Sequence, residues 1–237
     1  MTQELSALRT ELAAAFRLAA HFGFNEGICN HFSAVVPGDS ERYLINSYGH
    51  HWTEIGPDQL LMIDGDGNVL EGDGEVEASA RFVHVSAHRA NPRHACVLHT
   101  HMPYATSLTL LEDGKLEMAH QTACKFYGRT LYQDHFGGVV LNEEEGDRVA
   151  AAAKQSTDTD IVFLAHHGVV VGGPTVAHAF DDLYYLERAC KQQVLAQSTG
   201  GKLKLLPDDV VRATSGQMGQ QFDVMARAHF DALMRLV

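Results

Sequence analysis

The residues of this chain whose spacing carries most chemistry are His99-Thr100-His101 and His166-His167-Gly168. On a strand, side chains two apart share a face, so His99 and His101 stand side by side and make half of a metal site. The second cluster follows IVFLA at 161–165, an apolar run that reads as a buried strand. A ring at such a strand end can be fixed by the sheet while Gly168 lets the chain turn tightly. A divalent ion such as zinc accepts three protein ligands and keeps a position open for water or substrate. The HxH spacing alone is weakly specific, because the chain holds 15 histidines in 237 residues and strand-end histidines often serve only the core or its rim.

The elements that must position these rings are strands mixed with helices. Leu5, Leu8, Leu12, Phe16 and Ala19 recur at helical spacing, with Gly23 where a C-terminal stop belongs. Strand segments run from Ala34 to Ile45, interrupted by Pro37-Gly38-Asp39, and a hairpin is expected around Asp64–Asn68. Asp64, Asp66, Asn68 and Glu75 imitate a calcium-loop spacing, but Val69 stands where that loop needs glycine. A helix is expected from about Val76 to Arg89, ending before Asn91-Pro92, and ACVLHTH follows as a short apolar strand. Asn142 and Glu145 form a capping box for a helix through Ala153, with Glu143–Glu145 suited to its N-terminal dipole. Thr175 opens a long helix to about Gln197, and a last helix spans roughly Gln217 to Leu236. This alternation predicts an α/β layered fold in one domain.

Composition narrows the function. The formal net charge is −12, which opposes binding to phosphate backbones and makes nucleic acid an improbable main partner. No apolar run reaches the roughly 20 residues that cross a bilayer, and the charged N-terminus lacks a signal-peptide core, so a cytoplasmic location is expected. The four cysteines have no CxxC spacing and read as reduced, mostly buried thiols, Cys29 included.

Several blocks carry a family resemblance: GICNHFS at 27–33, YLINSYGHHWTEI at 43–55, HVSAHRANPRHACVLHTHMPYATSL at 84–108, KFYGR, FLAHHGVVVGG and DLYYLERACK. In this order they resemble the class II aldolase/adducin family, over about residues 6–197, leaving 198–237 as a helical extension. The resemblance implies a three-layer α/β/α domain with a mixed, mostly antiparallel sheet and a homotetramer with sites between subunits. It also implies a divalent metal, zinc first and Fe(II) or Mn(II) as alternatives, on His99, His101 and His167. His166 stands where many relatives carry Asn, as a candidate to orient a ligand or face substrate. The block His50-His51-Trp52 is expected either to line a pocket or subunit contact or to pack.

The chain also departs from the sugar-phosphate aldolases it resembles. Counting back from His99 places Ala80 where those enzymes have a proton-transferring Glu, and Ala can neither ligate nor titrate. Glu77 lies three residues earlier and is the candidate substitute. Asn30, His31, Tyr48-Gly49 and Ser79 occupy altered phosphate-binding positions, which favours a non-phosphorylated substrate, aromatic or carboxylated. Loss of the Glu shifts weight toward decarboxylation, which needs an electron sink and a later proton donor; His120, His31, Tyr127 and Tyr132 are candidates. The expected function is a metal-dependent lyase acting on a small oxygenated carbonyl or carboxylate. A non-haem iron oxygenase and a non-catalytic adducin-like interaction module are the alternatives.

Overall fold

The computed structural model describes residues 2–139 and 158–237. The first helix, α1 (Gln3–Phe22), starts at Thr2, whose hydroxyl accepts from the Leu5 amide, and stops at Gly23 in the left-handed region at φ 72°. The strands are β1 (His31–Val36), β2 (Asp39–Asn46), β3 (Leu60–Asp64), β4 (Val69–Glu71), β5 (Cys96–Thr100), β6 (Thr130–Gln133), β7 (Ile161–Leu164) and β8 (Gly168–Gly173). They form an eight-stranded sheet in the order β4-β3-β2-β1-β5-β8-β7-β6. Every pairing is antiparallel except β6 with β7. The hairpin between β3 and β4 closes on Asp64, whose carboxylate accepts from the Asp66 and Asn68 amides at 2.9 Å each. The imitation of a calcium loop is therefore a turn.

Helices cover both faces. On one, Phe32, Leu98 and Val171 pack against Leu12 and Phe16 of α1 and against Phe180 and Leu183 of α5 (Val176–Gln197). On the other, α2 (Ala78–Ala90) lays Val83 and Ala87 over Val97, Val162 and Val170. The period-two alternation of β1 and β5 thus sends Phe32 and Leu98 to one layer and His31 and His99 to the other. Trp52 is fully buried between Phe16 and Phe32, with ring centroids 5.1 and 4.7 Å away, so the tryptophan of the His50-His51-Trp52 block serves packing.

Short helices α3 (Pro103–Leu108) and α4 (Gln121–Cys124) complete the domain. The C-terminus differs from expectation: a single helix from 217 is replaced by α6 (Asp208–Gly219) and α7 (Phe222–Leu233). The acidic pair Asp208-Asp209 after Pro207 starts the first, and Gly219, a weak helix former, ends it. The capping box at Asn142 and Glu145 lies outside the described residues. Phe222 sits under Lys125 and Arg129, 4.5 and 5.1 Å from ring centre to charge. Those cations meet buried acids: Lys125 pairs with Asp181 and, at 2.8 Å, Asp182, while Arg129 reaches Asp160 at 2.8 Å and Asp182 at 2.5 Å.

Candidate metal centre

Three strand ends converge on the α2 side of the sheet. His99 lies one residue from the end of β5, paired across to His31 at the start of β1 and to Val170 of β8. His101 follows two residues later on the same face, and His167 immediately precedes β8. Their ring centroids form a near-equilateral triangle, with sides of 5.0, 4.9 and 4.7 Å. One ring nitrogen from each lies within 4.8 Å of the others.

The hydrogen bonds decide which nitrogens are free. His99 Nδ1–H donates to the Val169 carbonyl at 3.0 Å, leaving the Nε2 lone pair to coordinate. His101 Nδ1–H donates to the Glu26 carboxylate at 2.5 Å, and among the described residues its Nε2 is buried without a protein partner. Rings tied at one nitrogen and open at the other, with a carboxylate behind one of them, suit a divalent cation. Burial, reinforced by the neighbouring rings, lowers the His99 pKa well below its usual value and pushes His167 down to about 4, so both are in the neutral, ligating form at neutral pH.

The loops explain the precision. Asn30 is left-handed at φ 74° and its side-chain oxygen accepts the His101 amide at 3.3 Å, tethering the end of the HxH segment. The turn into β8 is made by His166, at φ 55°, while Gly168 provides space: a Cβ there would lie 2.5 Å from the Thr100 carbonyl oxygen and 2.8 Å from His101 Cδ2. The tight turn expected of Gly168 is thus taken by His166, two residues before it.

Beside the triangle, the His31 ring lies nearly parallel to that of His99 with centroids 6.1 Å apart, and its Nε2 bonds the Glu77 carboxylate. Ser79 Oγ is within 2.9 and 2.8 Å of the two Glu77 oxygens. The bond from His31, outweighing burial, holds the Glu77 carboxyl at about 2. These groups open on one cleft of about 550 Å³ that also includes Tyr48, His166 and Phe136.

The chain matches the family described as class II aldolase and adducin N-terminal domain over residues 10–194. It belongs to that family. An aldolase II superfamily protein from Pseudomonas syringae superposes with a TM-score of 0.91 at 32% identity, covering 99% of this chain and 93% of its own. Decarboxylase NovR of Streptomyces niveus is 31% identical over 90% of this chain and 77% of its own length. A 4-hydroxy-3-prenylphenylpyruvate oxygenase/4-hydroxy-3-prenylbenzoate synthase of Streptomyces roseochromogenus is 30% identical over 90% and 76%.

Within this family fold, several expected site residues fall elsewhere. Ala80, counted into the place of the aldolase Glu, is fully buried in an apolar cluster with Tyr43, Ile45 and Leu61. Glu77 stands just before α2 rather than on it, and reaches the cleft from that cap position. His120 is displaced: it lines a different cleft with Gln192 and Lys202, its Nε2 3.4 Å from the Ala189 carbonyl. Tyr132 accepts the Leu116 amide at 3.0 Å and stacks on Phe163, and burial raises its pKa, so it serves as a packed phenol. Tyr127 is exposed and Gly49 is a turn residue at φ 91°; neither lines the cleft. Cys29 corrects the expectation of a buried thiol, being exposed on the cleft wall. Glu26 is the functional candidate that sequence reading missed. Its position five residues before His31 gives no periodic signal, and only the fold brings it to His101.

Proposed function

We propose that this chain is a divalent-metal-dependent lyase that cleaves a C–C bond, by decarboxylase- or aldolase-type chemistry, in a small oxygenated carbonyl or carboxylate compound. The observation that carries the reading is the triangle of His99, His101 and His167, in which the His101 Nε2 is buried without a partner among the described residues, opening on the same cleft as the His31–Glu77 pair. A divalent ion held there, zinc with iron or manganese as alternatives, would supply a Lewis acid for charge developing on substrate oxygen.

The chain's own groups do the rest. Glu26 keeps His101 turned so that Nε2 faces the triangle. Glu77, an anion at neutral pH, holds the Nε2 edge of His31 toward itself and Ser79 steadies the carboxylate. The His31–Glu77 pair is the place where a proton leaving a substrate hydroxyl, or returning to carbon, is held. Asn30, His166 and Tyr48 line the same cleft. The same reading places the protein in the cytoplasm as a homotetramer. Among the described residues no helix is long and apolar enough to cross a membrane.

A panel of 2-oxo and 2-hydroxy acids and aldols, incubated with zinc-loaded protein without oxygen, tests the reading. Release of carbon dioxide or aldehyde, lost in H99A and E77Q, is expected; no product from any member with any of the three metals contradicts it. The relative named as an oxygenase favours one second reading, iron-dependent oxygenation in the same cleft, which oxygen uptake with Fe(II) would reveal.

A further inference from the structure

The cleft is lined by two chemically different sets of side chains. The triangle and its carboxylates are one. Tyr48, Phe136 and Val139 are the other, and in the single chain they remain 49%, 45% and 69% exposed. The Phe136 ring centroid lies 6.3 Å from those of both His166 and His167, placing an aromatic ring beside the triangle. Among the described residues the charged side chains lining the cleft are the carboxylates Glu26 and Glu77. Phosphate is recognised by Arg, Lys or clustered backbone N–H groups, whereas fixed carboxylates repel it. The volume, about 550 Å³, lies within the roughly 300–1,000 Å³ of drug-sized ligand sites and exceeds what a three-carbon acid fills.

We propose that the cleft takes an aryl-substituted 2-oxo or 2-hydroxy acid, its adjacent oxygens at the triangle and its ring against Phe136, Tyr48 and Val139. This rests on the triangle being a metal centre. Offset or edge-on packing on Phe136 stabilises an aryl group beyond simple area burial, and a methyl group in its place forfeits both.

Isothermal titration of the zinc-loaded full chain with mandelate, lactate and 2-phosphoglycolate tests the proposal. Mandelate and lactate share one chelating head and differ in a phenyl against a methyl group. Mandelate is expected to bind at least about tenfold tighter than lactate. F136A should remove most of that advantage while leaving lactate binding within about twofold, and Y48A should lower it independently if F136A fails to fold. Phosphoglycolate should bind more weakly than mandelate. Equal binding of mandelate and lactate, or tighter binding of phosphoglycolate, overturns the proposal. The two readings fail differently: aryl indifference with H99-dependent lactate binding removes only the substrate class, whereas zinc retention unchanged in H99A removes the metal centre itself.

Discussion

Two clusters of buried ionisable groups sit on this domain, and their bookkeeping differs. At the C-terminal clasp each cation faces carboxylates: Lys125 and Arg129 with Asp160, Asp181 and Asp182, and His229 with Asp181 at 2.6 Å. At the strand ends, ring nitrogens face one another, and among the described residues His101 Nε2 and His31 Nδ1 are buried with no hydrogen-bond partner. Unpaired buried polar atoms are costly. The clasp is closed chemistry that fastens α7 to the family domain; the triangle, on the proposed reading, is chemistry that a cation completes.

The largest effect expected from breaking this contrast is on the clasp. The Asp182 side chain is only 2% exposed and touches both cations. D182A should lower stability by about 3 kcal/mol, near the lower end for removing one partner of a buried pair because Asp160 and Asp181 remain. Chemical denaturation measures it, and zinc affinity of the folded fraction should be unchanged. H99A should do the reverse. It should weaken zinc binding by more than about a hundredfold, since even the loss of a group that merely orients a ligand costs about 10–100-fold, while the apo-protein's melting temperature stays near that of the parent.

Glu26 sharpens the comparison further, because it is a surface carboxylate placed in service of an open site. E26A should weaken zinc binding by about 10–100-fold in a chelator competition assay, with E26Q intermediate. Unaltered affinity would reduce Glu26 to a surface ion pair.

The smallest effect separates the regions by pH. Beneath the cleft, Ser33 Oγ lies 2.6 Å from His84 Nδ1 and 2.7 Å from His88 Nε2, and burial pushes His88 down to about 4. The unfolded ring takes a proton near 6.5 that the folded ring refuses, so stability falls as pH drops from about 6.5 toward 4. In the clasp, burial would raise Asp160 and Asp181, but the bonds from His94 and Arg129 to the one, and from His229 and Lys125 to the other, outweigh it and hold both carboxyls below 3.8. Their contribution is complete above about pH 4 and is lost only as pH falls through the lowered values. Thermal melts of the apo-protein from pH 8 to 3 should show two successive declines, with the first shallower in H88Q.

Much of the architecture was legible because it follows local rules. The periodicity of Leu5–Ala19, the Gly23 stop, the Asp64–Asn68 turn and the Thr175 cap each depend on neighbours within a few residues. The alternation in HxH sets His99 and His101 on one face, and the family resemblance added His167. What stayed hidden depends on separations of tens of residues. Ala80 was matched by counting along the chain, but the start of α2 turns it into the core and leaves Glu77 at the cleft. His120 and Tyr132 have suitable chemistry, yet α5 and β7 bury them in other contacts. Glu26 reaches His101 across 75 positions, a distance no pattern spans. The last helix, expected from Gln217 to Leu236, matches α7 and only the end of α6; α6 itself stayed hidden because it buries only Val211 and so shows little apolar stripe.

The central claim is that His99, His101 and His167 hold one divalent cation. Metal-stripped protein titrated with zinc, with bound metal counted by plasma mass spectrometry after desalting, tests it directly. The account predicts one zinc per chain, retained through desalting and absent in H99A. Fewer than about one ion per two chains at saturation, or full retention in H99A, would contradict it.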